Sequence, residues 1–263
     1  MLMILGFSAY FAVRSGVADE ARTAYFNALT IIEIERDMGV WRERSLNEWA
    51  ERSDFWTQVA SLAYFWLLFP LIIAVGLWLY ASQRQKYVVM RDAFLASGAL
   101  GLVFFALFPV APPRMLAELA GQFDTPPPPE VFGFVDSVKL HLRYAHDSAS
   151  TGLWVNSYAA MPCLHAGWNL LLGVAISWAF WGTRWQWPAT IVGGALPVVQ
   201  SLAVVLTANH YFLDIVVGLF VSALGIPIAL GLQRSLYPFA GRWAPRLSTT
   251  WRKAGGPAAS EAG

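Results

Sequence analysis

A histidine and an aspartate four residues apart are the sharpest chemical signal in this 263-residue sequence. His210 and Asp214 have the spacing that places two side chains on one helix face, one turn apart. The carboxylate would accept a hydrogen bond from one imidazole nitrogen and leave the other nitrogen free as a nucleophile. In the plainer alternative, Asp214 complements a positive helix end and His210 is a polar cap.

Two further segments carry groups that would serve a histidine nucleophile. His165 is a candidate general acid that protonates a departing oxygen. Pro162 favours the first turn of the helix that carries His165, and the N–H groups of that turn would attract an anion. Arg114 follows two prolines and offers a guanidinium fork that matches phosphate oxygens. Structural roles stay open for both: a histidine bonded to a backbone carbonyl, and an arginine that snorkels to the interface.

A zinc site is the competing interpretation, with His165, His210, Asp214 and a loop histidine as ligands. The sequence has no His-Glu-x-x-His spacing, and its single cysteine excludes a cysteine-rich cluster and a disulfide framework. We therefore expect neither a metal ion nor another cofactor.

The composition indicates which kind of fold must position these residues. Hydrophobic residues make up 57% of the chain and charged residues 13%, mean hydropathy is +0.48, and there are 13 tryptophans. A soluble domain carries about 25% charged residues. The 18 basic residues against 17 acidic ones leave a net charge of +1, which excludes a nucleic-acid-binding protein. The composition predicts a polytopic helical membrane protein.

Charge-free stretches locate the predicted membrane spans, because about 20 apolar residues cross the hydrocarbon core. A further apolar stretch, residues 1–13, is either a sixth span or a cleaved signal peptide. The predicted fold class is an all-α bundle of six transmembrane helices in one domain, residues 1–239, followed by a disordered cytoplasmic tail over residues 240–263. The five longer spans are expected at 57–81, 91–110, 164–182, 187–208 and 211–232.

The short loops set the expected orientation, because Lys and Arg concentrate in short cytoplasmic loops. Arg84, Lys86, Arg91 and Arg184 lie in two such loops. The segments 18–54 and 111–160 would then lie outside, the first as interfacial helices or as a small cap packed on the bundle, the second as a long extracytoplasmic loop. We expect a multi-pass protein of the plasma membrane with its site on the extracytoplasmic side.

Three motifs resemble those of the type 2 phosphatidic acid phosphatase superfamily. Met-Pro-Cys-Leu-His-Ala-Gly-Trp at 161–168 resembles its second motif, and Asn-His-Tyr-Phe-Leu-Asp at 209–214 resembles its third. Pro-Val-Ala-Pro-Pro-Arg at 109–114 is similar to the first motif of the branch that contains inositol phosphorylceramide synthases. The resemblance covers about residues 57–233.

The resemblance implies metal-free phosphoryl transfer on a membrane lipid: a phospholipid, a polyprenyl phosphate or a phosphosphingolipid. His210 would attack phosphorus to form a phosphohistidine, Asp214 would orient it, and His165 would protonate the leaving oxygen. Hydrolysis and transfer of the headgroup to an alcohol such as inositol both stay open. A catalytically silent lipid-binding protein is a second class, a transporter is a third, and the oligomeric state is not predicted.

The phosphate would be bound by Arg114, Cys163 and Leu164. The sequence departs from the superfamily pattern at several points, since the usual Lys-x6-Arg-Pro motif is absent and Ala203-Val204 replaces a Ser-Arg pair. A serine is expected at Cys163, and a thiol is a weaker donor. Candidates to supply the missing charge lie in the long loop: Lys139, Arg143 and His146.

Overall fold

The computed structural model describes residues 21–123, 128–138 and 158–253, with side chains up to residue 235. In these ranges the regular elements are helices, and Val110 and Ala159 form an isolated parallel bridge. Two 3-10 turns cover Pro113–Met115 and Pro129–Val131. The α-helices are α1 (Ala21–Asp37), α2 (Glu43–Glu51), α3 (Asp54–Trp66), α4 (Phe69–Ser82), α5 (Arg84–Leu107), α6 (Leu116–Ala120), α7 (Leu164–Ala179), α8 (Gln186–Leu206) and α9 (Phe212–Lys253).

The all-helical prediction is confirmed for these ranges, but the count of six spans is not reproduced. Helices α5, α8 and the first part of α9 are long and apolar enough to cross a membrane. The predicted span 57–81 is divided into α3 and α4, which bend by 41° and could together form a fourth. The bend follows from Pro70 near the start of α4, because proline cannot continue a preceding helix. The predicted span 1–13 lies outside the described residues.

Two predicted boundaries differ from the structure. Helix α7 has 16 residues and ends at Ala179, short of the predicted 182 and of a full span. Helix α9 continues to Lys253, so the tail predicted to be disordered from Ala240 is helical over its first part. Trp243, Leu247 and Trp251 recur every four residues there, a helical period that the prediction overlooked. Residues 254–263 lie outside the described part of the chain.

Glycines allow the helices that carry the predicted site to approach closely. A Cβ on Gly218 of α9 would collide with the Cys163 carbonyl at the start of α7. Gly173 of α7 and Gly193 of α8 meet backbone to backbone in the same way. Small residues at helix contacts are typical of membrane bundles, where burial from water does not drive association. Helix α7 is therefore fixed between α8 and α9.

The two ends of the bundle differ in character. At the end of α7, Lys86 donates from Nζ to the Trp178 carbonyl at 2.7 Å. Arg84, Lys86 and Arg91, predicted to lie in a loop, are in the first turns of α5, so the basic start of α5 lies at this end. The predicted site lies at the start of α7, about 24 Å away for a helix of this length. Exposed tryptophans occur at both ends, as in the aromatic belts of membrane proteins. They are Trp181, Trp185 and Trp187 at the basic end and Trp49 and Trp56 at the other.

Helices α1 and α2 form a cap over the end that carries the site. Asn27 of α1 donates to the Pro109 carbonyl at 2.8 Å, and Asn47 of α2 donates to the Leu206 carbonyl at the end of α8 at 2.7 Å. The buried side of α1 includes Ala24, Ala28 and other apolar residues. Of the two alternatives for segment 18–54, these contacts favour the packed cap.

The close contact at Gly218 predicts a position-specific loss of stability. Gly218→Ala is expected to reduce the free energy of unfolding by about 1–3 kcal/mol, because the added methyl must displace the Cys163 backbone. Gly231→Ala, on the same helix, meets open space and should leave stability unchanged or slightly higher. Thermal unfolding in detergent measures both, and an equal fall in Tm for the two variants would contradict the packing described.

Candidate active site

The three motifs singled out in the sequence meet through backbone hydrogen bonds. The Arg114 N–H donates to the Ala208 carbonyl at 3.0 Å, and the Cys163 N–H donates to the Asp214 carbonyl at 2.9 Å. The Ala160 N–H donates to the Val110 carbonyl at 3.2 Å. Each motif is therefore held to another by main-chain atoms, and their relative positions do not depend on flexible side chains alone.

The turn between α8 and α9 determines where His210 lies. The Asn209 N–H donates to the Val204 carbonyl at 2.9 Å and the Ala208 N–H to the Val205 carbonyl at 3.0 Å, which is the pattern of a Schellman motif. Ala208 has a φ of +54°, the left-handed conformation that this motif requires and that glycine usually supplies. The chain reverses there, and His210 follows the reversal directly.

His210 lies in this turn and not on a helix, so the predicted shared helix face is wrong. Helix α9 begins only at Phe212, because the Schellman turn occupies the residues before it. The contact with Asp214 exists nevertheless: Nδ1 lies 3.4 Å from Asp214 Oδ2. A shorter contact, 2.8 Å, joins Nδ1 to the Ala160 carbonyl. Since both neighbours are acceptors, we infer that Nδ1 carries the proton and Nε2 holds the lone pair.

His165 lies against Nε2 of His210. Its Nδ1 is 3.4 Å from His210 Nε2, and its ring stacks on Tyr64 with a centroid separation of 4.6 Å. This separation leaves no room for a phosphorus atom with its oxygens between the two rings. A bound phosphate therefore requires the half-buried His165 side chain to turn away from His210.

Arg114 is held at the turn that precedes His210 by two side chains. Its Nη1 donates to Asn209 Oδ1, and its Nε lies 3.2 Å from Asp136 Oδ2. Asn209 is fixed in turn by donating to the carbonyl and the hydroxyl of Thr207. The Nη2 amino group of Arg114 takes part in neither the contact with Asn209 nor the contact with Asp136. Sequence analysis missed Asp136, which belongs to no motif and has no distinguishing spacing.

The start of α7 differs from the prediction in one respect. Pro162 is not in the first turn, because Cys163 is the N-cap and the helix begins at Leu164. Cys163 is fully buried, and the Leu164 side chain packs into the core close to Gly101. Leu164 could therefore contact an anion only through its backbone N–H.

A different trio from the predicted zinc set could hold a metal ion. Ligand atoms of Cys163, His165 and His210 all lie within 4.8 Å of one another. Asp214 is not in this trio, and its Oδ2 accepts the Tyr211 N–H at 3.0 Å. The histidines at 141 and 146, like Lys139 and Arg143, lie outside the described residues.

Apolar helices, a packed cap and two adjoining histidines beside an arginine define a helical membrane protein with a candidate phosphate site. A family model of the PAP2 superfamily matches residues 29–228, and the chain belongs to that superfamily. Comparison with curated proteins and with solved structures gives no match. Membership confirms the resemblance at the level of the superfamily and indicates phosphatase or phosphotransferase activity.

Restoring serine at the N-cap of α7 should strengthen the site. In Cys163→Ser the hydroxyl oxygen can accept from the N–H of the second or third helical residue, which contributes about 1 kcal/mol at an N-cap. The hydroxyl is also a better donor to phosphate than a thiol. We expect a higher Tm and faster phosphate release from a phosphorylated lipid than in wild type. Cys163→Ala is the control, and a serine variant no better than alanine would contradict this role.

Proposed function

We propose that the protein transfers a phosphoryl group from a membrane lipid phosphate ester through a phosphohistidine on His210. The observation that carries the proposal is the arrangement of the His210 ring. Its Nδ1 lies 2.8 Å from the Ala160 carbonyl and 3.4 Å from Asp214, and its Nε2 is directed to the second histidine. One nitrogen is thus oriented, and the other can attack phosphorus once the His165 ring turns away from it.

The chemistry divides into two steps. In the first, His210 Nε2 forms a bond to phosphorus, the bond from phosphorus to the leaving oxygen breaks, and His165 gives that oxygen a proton. In the second, water attacks phosphorus, His165 takes a proton from the water, and the phosphorus–nitrogen bond breaks. The Arg114 Nη2 group and the N–H groups at the start of α7 stabilise the phosphate oxygens.

The position of the site supports a lipid substrate. His165 is the second residue of α7, at the end of the bundle away from the basic start of α5, where exposed tryptophans indicate an interface. A phosphate at that depth would be attached to a lipid of the adjoining leaflet. By the loop charges, we propose that this leaflet is the extracytoplasmic one of the plasma membrane.

Trapping the intermediate tests the proposal. Detergent-purified protein is incubated with a lipid phosphate labelled with ³²P and quenched in alkali, where phosphohistidine survives. Wild type should retain label and release phosphate, whereas His210→Gln should do neither. Asp214→Asn should slow both steps because it alters the side chain that accepts the Tyr211 N–H and lies against His210 Nδ1. Unlabelled wild-type protein that still releases phosphate would contradict the covalent intermediate.

Two variations of this assay separate the alternatives. With inositol present, a labelled inositol phosphate product identifies a headgroup transferase, which the motif at 109–114 favours, and free phosphate alone identifies a hydrolase. A wild-type rate equal to that of His210→Gln for every lipid tested would identify a catalytically silent protein and overturn the proposal.

The role of His165 as general acid predicts a dependence on the leaving group. His165→Ala should lower the rate on an alkyl phosphate by about 10²- to 10⁴-fold. With p-nitrophenyl phosphate, whose leaving oxygen needs no proton, the first step should recover and phosphorylated protein should accumulate. The amount of trapped label measures this, and an equal loss with both substrates would show that His165 does not protonate the leaving group.

A further inference from the structure

We propose that Glu35 and Glu43 are positioning residues for the His210–Asp214 pair, because together with Asp214 they form a three-carboxyl cap on the first turn of α9. The inference rests on the proposed function for its effect on catalysis. It also predicts changes in stability that can be measured without any activity.

Three consecutive backbone N–H groups at the start of α9 each donate to a carboxyl oxygen. The Tyr211 N–H donates to Asp214 at 3.0 Å, the Phe212 N–H to Glu43 at 2.9 Å, and the Leu213 N–H to Glu35 at 2.6 Å. The three acids come from α9, α2 and α1. The cap helices therefore reach the catalytic segment through direct hydrogen bonds to its main chain.

Burial makes these bonds decisive for the geometry. Glu35 and Glu43 are 1% and 0% exposed, and Asp214 is 0% exposed, so no bulk water replaces a lost partner. The first N–H groups of a helix have no partner inside it and must be satisfied from elsewhere. The first turn begins two residues after His210 and contains Asp214. A shift of this turn moves both members of the pair relative to the Ala160 carbonyl.

The protonation state of Glu35 limits the repulsion within this cluster. Burial, and after it the adjoining Glu43 carboxyl, raises the pKa of Glu35 to about 9, with the Asp214 carboxylate a smaller cause. Glu35 is therefore protonated at neutral pH, which relieves repulsion among three buried acids. Glu43 Oε2 accepts the Arg42 N–H at 2.9 Å, so both Glu43 oxygens accept from backbone N–H groups.

The titratable groups that face Glu35 come from two other helices. From α2 it faces Glu43, and from α9 it faces Asp214. The Tyr211 phenol lies nearby and donates to the Ala111 carbonyl at 3.0 Å, with Arg114 close enough to act on it. His210, the remaining neighbour in the turn, contacts Asp214.

The sign of the pH effect follows from the raised pKa. In the unfolded chain Glu35 has its ordinary pKa of 4.5, so folding takes up a proton between that value and about 9. The stability that Glu35 contributes is full below pH 4.5 and is lost as the pH rises through 9. Glu35→Gln, a neutral side chain of the same shape, should remove this loss.

The experiment compares three variants of the full-length protein in detergent. Glu35→Gln should match wild-type kcat at pH 6.5, and both its Tm and its kcat should fall less than those of wild type between pH 7 and 9.5. Glu43→Gln should lower kcat roughly tenfold at pH 6.5 with KM little changed, since a charge-assisted bond is weakened away from the substrate. Glu33→Gln, on the exposed side of α1, is the control and should behave as wild type.

Each outcome either supports or overturns the proposed role of Glu35 and Glu43. A wild-type-like pH dependence of Tm in Glu35→Gln would overturn it, whether or not the protein shows phosphatase activity. A large loss of kcat at pH 6.5 in Glu35→Gln would also overturn it, since Glu35 would then act as an anion. Loss of activity in His210→Gln with the predicted Tm behaviour in Glu35→Gln would support both proposals independently.

Discussion

The buried N-terminus of α9 is the constraint around which the rest of the site is arranged. A helix end in water satisfies its first N–H groups with solvent, but this end lies under the cap and cannot. Carboxyl oxygens of Glu35, Glu43 and Asp214 replace the solvent, and two of them come from outside the membrane bundle. The cap is therefore more than a cover, because it completes the hydrogen bonding of the segment that carries His210 and Asp214.

Asp214 serves two purposes at once, and this explains the unusual environment of His210. Its Oδ2 accepts the Tyr211 N–H at 3.0 Å and lies farther, 3.4 Å, from His210 Nδ1. The Ala160 carbonyl therefore supplies the shorter contact to the imidazole. A main-chain carbonyl fixes the tautomer without adding charge. Asp214 Oδ2 thus caps the helix, and the Ala160 carbonyl oxygen orients the imidazole ring.

The sequence predicted the apolar helices and the convergence of the three motifs. It predicted less well the turn before His210 and the contacts between distant residues. Charge-free stretches are local signals, and they located α5, α8 and α9 to within several residues except at the far end of α9. The turn before His210 was missed because its left-handed residue is Ala208, where a glycine would have marked it. Glu35 lies on the same helix face as the buried residues Ala28 and Ile31. The sequence therefore already shows an acidic residue in an apolar row. It does not show the partner of Glu35, 178 residues away, because local spacing carries no information about distant pairing.

That separation has a consequence for how the protein is made. Glu35 and Glu43 leave the ribosome with their hydrogen-bond donors still unsynthesised, and the donors follow 178 and 169 residues later. At 5–20 residues per second the interval is roughly 10–35 s. During that time the two carboxyl groups lack the backbone donors that they bond in the folded protein. The carboxyl cap of α9 can therefore form only after α9 is made, whereas Asn27 and Asn47 of the same helices bond residues that are synthesised earlier.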